Sequence, residues 1–280
     1  MRAVLRHPLF RNSAVLAGGG ILLLLVLIAL LAPLLSQTDP TAIAPRFRLK
    51  PPSEDFLMGT DKLGRDVATR ALYGARVSLL VSICVAAIAI SVGLVIGLVS
   101  GYIRWLDGPI MRTMDGLMAI PGILLAIALV SLSGSSLLTV IVAIVVPEIP
   151  RVARLVRGVV LSIREEPYVE AAIGLGTPVY RILIQHILPN TIAPLIVQGT
   201  YICASAILVE AILSFLGAGL SSEIPTWGNI IADGRDVFQR APWIILFPGG
   251  FLAATILAVN ILGDGLRDTL DPRMKKRLGA

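Results

Sequence analysis

The chain has 280 residues, of which 56% are hydrophobic and only 15% are charged, and its formal net charge is +6. Ordinary soluble domains carry about 25% charged residues, so this composition excludes a soluble enzyme built around a single core. The basic residues lie between apolar runs and are not gathered on one soluble domain. This distribution favours membrane lipid over nucleic acid as their partner.

Five runs of the sequence contain no charged residue, and each is at least as long as the ~20 residues that a helix needs to cross the hydrocarbon core. They are apolar on every side, which predicts helices and not the alternating strands of a barrel. The run from Gly116 to Pro147 would form a single helix of ~48 Å, so we expect a hairpin with its tip at residues 131–136. The sequence predicts an all-α integral membrane protein with six transmembrane helices, at residues 14–35, 77–101, 113–132, 136–156, 195–217 and 243–263.

Lysine and arginine residues set the predicted orientation of these helices. Six helices put both termini on one side, and that side also holds the basic residues of segments 102–112 and 151–194. Because cytoplasmic segments are enriched in Lys and Arg, we expect both termini to be cytoplasmic. No A-x-A motif precedes Ser36, which favours an uncleaved first helix over a signal peptide.

The predicted helices divide the chain into three parts. Residues 1–75 hold the N-terminal tail, the first transmembrane helix and an outer segment. Residues 76–265 form a core with the other five helices, and residues 266–280 form a cytoplasmic tail.

The sequence contains none of the common catalytic or nucleotide-binding patterns. There is no HExxH, GxSxG or Walker A motif, and the only histidines are His7 and His186, so we expect neither catalysis nor ATP binding by this chain. Cys84 and Cys203 lie in apolar runs, which favours packing over a disulfide or a metal site. The aspartates of the turn at residues 59–66 lack the spacing of a calcium loop, so we expect a structural turn and no metal site.

A few polar or small residues fall inside the predicted helices. Glu210 is a lone carboxylate, which favours a packing or gate residue over a proton relay. Asn260 is expected to donate a hydrogen bond between helices. Gly93, Gly97 and Gly101 recur on one face of the second helix, a pattern that predicts close packing of another helix against that face.

The stretch between the fourth and fifth predicted helices is the most informative polar segment. Arg151, Arg154 and Arg157 form one basic stripe, which we expect to extend the fourth helix into water or lipid head groups. Residues 167–174 predict a two-turn helix that begins at a proline and is stopped by glycine. Residues 177–187 predict a second short helix that ends before Pro189. The apolar residues of these helices favour a docking element over a solvated loop.

This stretch resembles a known motif. Glu170-Ala171-Ala172, followed by Gly176 and Leu188-Pro189, is similar to the EAA loop of permease subunits from binding-protein-dependent ABC importers. His186 stands where that family usually has isoleucine, a variant that resembles its peptide-importer branch. The chain is most similar to the C-type permease subunit of dipeptide and oligopeptide importers, through an ordered series of further motifs: Leu57–Asp61 with Leu63–Asp66, Tyr73–Leu79, Met111-Arg112, Glu210-Ala211 with Leu213–Gly217, Trp227-Gly228, Ala241–Trp243, Asn260–Asp268 and Leu270–Arg273.

The resemblance implies a type I importer permease (MetI-like) fold with a cytoplasmic coupling helix in an EAA segment at about residues 164–190. It implies a bacterial inner-membrane complex with a B-type permease, two ATPases that bind ATP and Mg, and an extracytoplasmic peptide-binding protein. Arg235 and Asp236 are candidates for docking that binding protein. The residues expected to couple the chain to the ATPases are Glu170, Ala171, Ala172, Gly174, Gly176, Leu188 and Pro189.

Two alternative functions remain. The solute could be nickel, glutathione or an opine, since such importers share much of the motif series. A channel or secondary transporter that works alone is the alternative of another class.

Overall fold

The computed structural model describes residues 12–270, and this part of the chain is helical apart from its loops and an isolated bridge between Thr60 and Asp66. The predicted tail beyond residue 270 and the N-terminal arginines Arg2, Arg6 and Arg11 lie outside the described residues. The helices are α1 (Ser13–Leu35), α2 (Val67–Tyr102), α3 (Arg104–Ala119), α4 (Gly122–Ser133), α5 (Leu137–Arg164), α6 (Pro167–Gly174), α7 (Val179–Arg181), α8 (Leu188–Phe215), α9 (Trp227–Gly234) and α10 (Trp243–Leu270).

Polar side chains fix where several of these helices begin. The Asn12 side chain accepts a hydrogen bond from the backbone N–H of Ala14 at the start of α1. Asp66, Ser136 and Thr226 cap α2, α5 and α9 in the same way. Each cap satisfies a backbone donor that has no partner inside its helix.

By length and composition, four or five of the six predicted membrane-spanning helices are recognised. Within residues 12–270, four helical stretches are long and apolar enough to span a membrane, namely α1, α2, α10 and the stretch Val179–Phe215, and the bent pair α3–α4 makes up to five. Helix α5 has 28 residues but carries Glu148, Arg151 and Arg154 in its middle. Six spans therefore stay a prediction, as does the division of the chain at residues 75 and 265.

The predicted third span is not one straight helix. Helices α3 and α4 meet at an angle of 87°, and Ile120 between them has an extended backbone conformation. Pro121 causes the break, because proline lacks a backbone donor and disfavours the helical conformation of the residue before it.

The predicted second short helix at residues 177–187 is also not separate. The chain stays helical from Val179, through a π turn at Ile182–Ile187, directly into α8. Pro189 and Pro194 do not end this helix. A proline has no backbone N–H to donate, and in membrane-spanning helices a local π turn can accommodate the missing hydrogen bond.

The core forms where α5 packs against α2. A Cβ atom placed on Gly93 would lie 2.5 Å from the Cβ of Val152, and one on Gly97 would lie 2.6 Å from the Cβ of Val156. Gly101 faces Val160 in the same way. The three glycines therefore let the two helices approach more closely than any side chain would permit.

We predict that Gly97→Ala lowers the melting temperature of the purified protein by roughly 5 °C, because the added methyl group overpacks the α2–α5 contact. The matched control is Gly158→Ala on α5, where a Cβ would meet nothing within 4 Å. Thermal unfolding in detergent measures both variants. Equal melting temperatures for the two would contradict the close-packing role.

Candidate functional site

The EAA segment places a short helix, α6, between the ends of two long ones. Pro167 is its first residue and Glu170 lies in its first turn, where negative charge favours the helix dipole. Gly176 ends the turn with a φ of +76°. The N–H of Thr177 donates to the Ala172 carbonyl at 3.0 Å, and the N–H of Gly176 donates to the Ile173 carbonyl at 2.9 Å. This pair of bonds is a Schellman motif, which fixes the sharp turn after α6.

Helix α6 packs its inner face on the rest of the chain. Val169 is fully buried in the core cluster that also contains Ile182 and Ile187, and Ala172 is only 9% exposed. The ring of Tyr168 lies 6.0 Å from the ring of His186, and Asn190 donates to the Tyr168 hydroxyl at 3.4 Å. These contacts join α6 to the π turn and the start of α8.

The outer face of α6 is exposed. Glu170 and Ala171 are exposed, so of the three EAA residues only Ala172 is turned towards the chain. Gly174 ends the helix, and beyond it Leu175 exposes 86% of its surface. Other exposed large side chains nearby are Tyr168, Ile173, Val179, Tyr180 and Ile184.

The second half of the motif lies at the start of α8. Leu188 is half-buried there and Pro189 is exposed. Pro189 and Asn190 line a cavity of about 660 Å³ together with Leu155 of α5 and Arg267 of α10. The structure thus brings this part of the motif to the same end of the helices as α6.

The three arginines of the basic stripe on α5 are partly exposed, and each pairs with a carboxylate. The extension of this stripe into water or lipid head groups stays a prediction. Arg157 forms two hydrogen bonds with Asp107 of α3, of 2.5 and 2.7 Å. The other two pairs are Arg154 with Asp115 of α3 at 2.6 Å and Arg151 with Glu148 at 2.8 Å. The sequence does not show that α3 lies beside α5, so Asp107 and Asp115 could not be assigned as partners from it.

Glu210 holds α9 in place. It is 1% exposed and accepts hydrogen bonds from Ser214 at 2.9 Å and Thr226 at 2.8 Å. The Thr226 hydroxyl in turn accepts a hydrogen bond from the N–H of Asn229 in α9. Asn260 is exposed, and its side chain makes no hydrogen bond within residues 12–270. The predicted hydrogen bond from Asn260 to another helix is therefore not formed there.

A buried charge cluster fastens the outer segment to α2 and α9. The Asp61 carboxylate accepts hydrogen bonds from the backbone N–H groups of Leu63 and Arg65 and from the Arg65 side chain. Arg65 also contacts Asp233 of α9 at 2.8 Å. Arg70 of α2 lies 3.4 Å from the Asp233 carboxylate, and its side chain is 1% exposed. The expected structural turn at residues 59–66 is thus one side of a long-range ion network, and sequence reasoning missed Arg70 and Asp233.

Arg235 and Asp236 follow α9 and are exposed by 56% and 66%. Arg235 donates to the Phe215 carbonyl at 3.2 Å. Both residues line a cavity of about 280 Å³ that also contacts Lys62 and Asp233. Residues 12–270 contain no group of three or more His, Cys, Asp or Glu side chains that could hold a metal ion.

We predict that Asp233→Asn lowers the melting temperature by about 5–10 °C, because it leaves Arg65 and Arg70 with one carboxylate for two buried cations. The matched control is Asp236→Asn, three positions away at an exposed residue. This variant should change the melting temperature little. Thermal unfolding of the detergent-solubilised protein compares them. If the two variants were equally stable, the cluster would have no part in holding the outer segment.

Two family models match the chain. The binding-protein-dependent transport system inner membrane component matches residues 70–276. The N-terminal transmembrane domain of oligopeptide transport permease C matches residues 3–52.

The chain is also similar to several known proteins over nearly its whole length. It is 57% identical to a probable peptide ABC transporter permease protein of Sinorhizobium fredii, covering 99% of this chain and 93% of that protein. It is 44% identical to a dipeptide transport system permease protein of Alkalihalophilus pseudofirmus, covering 95% and 88%. It is 40% identical to a glutathione transport system permease protein of Pectobacterium atrosepticum, covering 95% and 89%.

Proposed function

Since the chain belongs to the family of binding-protein-dependent transport system inner membrane components, we propose that it forms half of the translocation path of an ATP-driven peptide importer. The geometry of α6 carries this proposal. A helix that is fixed on its inner face and exposes a carboxylate and apolar side chains on its outer face is suited to docking a partner protein.

The proposal includes six transmembrane helices with both termini in the cytoplasm. Helix α5 then counts as a span, which is consistent with the pairing of Arg151, Arg154 and Arg157 with carboxylates. Charged groups in spanning helices are tolerated where they pair and face the protein interior or water. In this arrangement α6 lies on the cytoplasmic side and acts as the coupling helix.

The mechanism follows from the way α6 is held. Val169 and Ala172 anchor it to the core, and the π turn joins it to α8. A push from a partner on Glu170 and Ala171 would therefore move the cytoplasmic ends of α5 and α8 together. Such a rigid-body displacement is a common way of switching between two states of a packed structure.

The energy must come from other subunits in this proposal. The two ATPases would bind ATP and Mg and press on α6 when they close. This chain would have no catalytic role and no cofactor of its own. A second permease of the B type would supply the other half of the path.

Peptides are the proposed solutes because proteins similar to this chain include a probable peptide permease and a dipeptide permease. Glutathione, itself a peptide, is the solute named for a relative at lower identity.

The outer surface near α9 is the proposed docking site for the peptide-binding protein. Arg235 and Asp236 are exposed there, while the ion cluster beneath them keeps the surface rigid. We predict that Arg235→Glu weakens the affinity of the importer for its loaded binding protein about tenfold, because it reverses a charge at the contact. Surface plasmon resonance on nanodisc-embedded importer measures this affinity. The control is Arg104→Glu, at the exposed first residue of α3 on the proposed cytoplasmic side. An unchanged affinity for Arg235→Glu would refute the docking role.

We predict that Gly176→Val reduces ATP-driven peptide uptake at least tenfold in the complete importer reconstituted in proteoliposomes. Gly176 has a left-handed backbone conformation, which a β-branched residue cannot adopt without strain of roughly 1–2 kcal/mol. The turn after α6 should therefore reshape and misplace the docking surface.

Gly20→Val is the matched control, because Gly20 lies inside α1, outside the EAA segment, and a Cβ there meets nothing within 4 Å. This variant should retain most of the uptake. Both variants should still assemble with their partner subunits, as judged by co-purification. Normal uptake by an assembled Gly176→Val importer would count against the coupling role of α6.

A further inference from the structure

An ion pair in the middle of α5 is half exposed. Arg151 Nη1 lies 2.8 Å from Glu148 Oε1, and the exposed fractions of the two side chains are 45% and 6%. Ser205 of α8 donates to the same carboxylate oxygen at 3.4 Å. The other oxygen, Glu148 Oε2, is buried and has no hydrogen-bond partner in the described part of the chain. The proposed coupling mechanism makes no use of this pair.

Contacts with α2 give the depth of the pair in the membrane. Val152, which follows Arg151, packs on Gly93. Gly93 lies in the charge-free run from Val77 to Ile103, ~24 Å from one end of that run and ~15 Å from the other. Arg151 is therefore well inside the hydrocarbon region, where an arginine facing lipid costs at least ~2.5 kcal/mol.

Other charged groups share the exposed side of α5. Arg154 and Asp115 form an ion pair of 2.6 Å with exposed fractions of 51% and 61%. Leu155, one turn beyond Arg151, lines the cavity of about 660 Å³ between α5, α8 and α10. Residues one turn apart lie on the same helix face, so Arg151 lies on the face of α5 that borders this cavity.

The exposed side of α2 at the same depth is different. It presents Ile88, Val92 and Val95, with exposed fractions of 41%, 38% and 60%. This apolar surface suits lipid, whereas the charged side of α5 does not. The two sides therefore face different surroundings in the assembled complex.

We propose that the charged side of α5 lines the translocation path and that Arg151, held by Glu148, binds the carboxylate of the passing solute. The inference rests on the proposed function as a peptide importer. A guanidinium has five N–H donors, and Arg151 uses only its Nη1 group for a hydrogen bond within residues 12–270. The others can bind a carboxylate through two parallel bonds. Glu148 neutralises Arg151 when no solute is present and keeps the attachment weak enough for release.

The first test measures uptake of a dipeptide and of its C-terminal amide by the complete importer in proteoliposomes. We expect Arg151→Gln to reduce uptake of the free dipeptide about tenfold and to leave uptake of the amide unchanged. Arg151→Lys should retain part of the preference for the free carboxylate. The control is Arg104→Gln, at the exposed first residue of α3, which should leave both rates unchanged.

Two results of this test would overturn the inference. An equal loss for both solutes would make Arg151 a contact to the second permease or a stability residue. No loss for either solute would remove it from the path. Absence of dipeptide uptake by the unmodified importer would instead contradict the proposed function.

The second test does not depend on transport rates. In a chain whose Cys84 and Cys203 are replaced by serine, we expect Arg151→Cys to react with a water-soluble methanethiosulfonate reagent in the assembled importer. Val95→Cys, at a similar depth and 60% exposed, should not react, because lipid prevents formation of the reactive thiolate. If Arg151→Cys were as unreactive as Val95→Cys, that position would not face the path.

Discussion

The hydrocarbon core of the membrane offers no partner to a charged or polar group, and this constraint governs most of the structure. Each buried charge in the described part of the chain has a nearby partner. Glu210 accepts two hydroxyl hydrogen bonds, Glu148 pairs with Arg151, and Arg70 lies beside Asp61 and Asp233. Because an unpaired charge would be so costly, these partners determine which loops and helices must meet.

The same constraint explains the use of glycine between α2 and α5. Lipid tails are as apolar as leucine, so helices in a membrane gain little from burying large apolar side chains. Close approach at Gly93, Gly97 and Gly101 provides packing contacts instead. Close packing of α2 on α5 suits the proposed mechanism, in which a displacement of α6 is passed along α5 to the middle of the membrane.

Hydropathy predicted most of the helices because every backbone group of a span must be satisfied within the helix. The helix at residues 167–174 and the turn at Gly176 were predicted from local proline and glycine patterns, and the structure confirms both. The prediction of one helix over residues 113–132 was wrong, because α3 ends at Ala119 and α4 begins at Gly122. Pro121 is a signal that could have indicated the break. The predicted end of a helix before Pro189 was also wrong. Here a proline does not break the helix, since membrane-spanning helices accommodate proline through local changes in hydrogen bonding.

Partners that are distant in the sequence could not be predicted. Asp233 lies 168 positions from Arg65, and Asp107 lies 50 positions from Arg157. No local pattern relates such pairs, because their meeting depends on how whole helices pack. The basic stripe of α5 was visible in the sequence, but the carboxylates of Asp107 and Asp115 that pair with two of its arginines were not.

The central claim is that this chain is a passive half of a path and moves only when partners press on α6. Peptide flux into proteoliposomes that contain this chain alone, compared with proteoliposomes that contain the complete importer and ATP, tests it most directly. The account predicts no flux with the chain alone and accumulation against a gradient with the complete importer. Peptide flux through the chain alone, at a rate comparable to that of the complete importer, would contradict it.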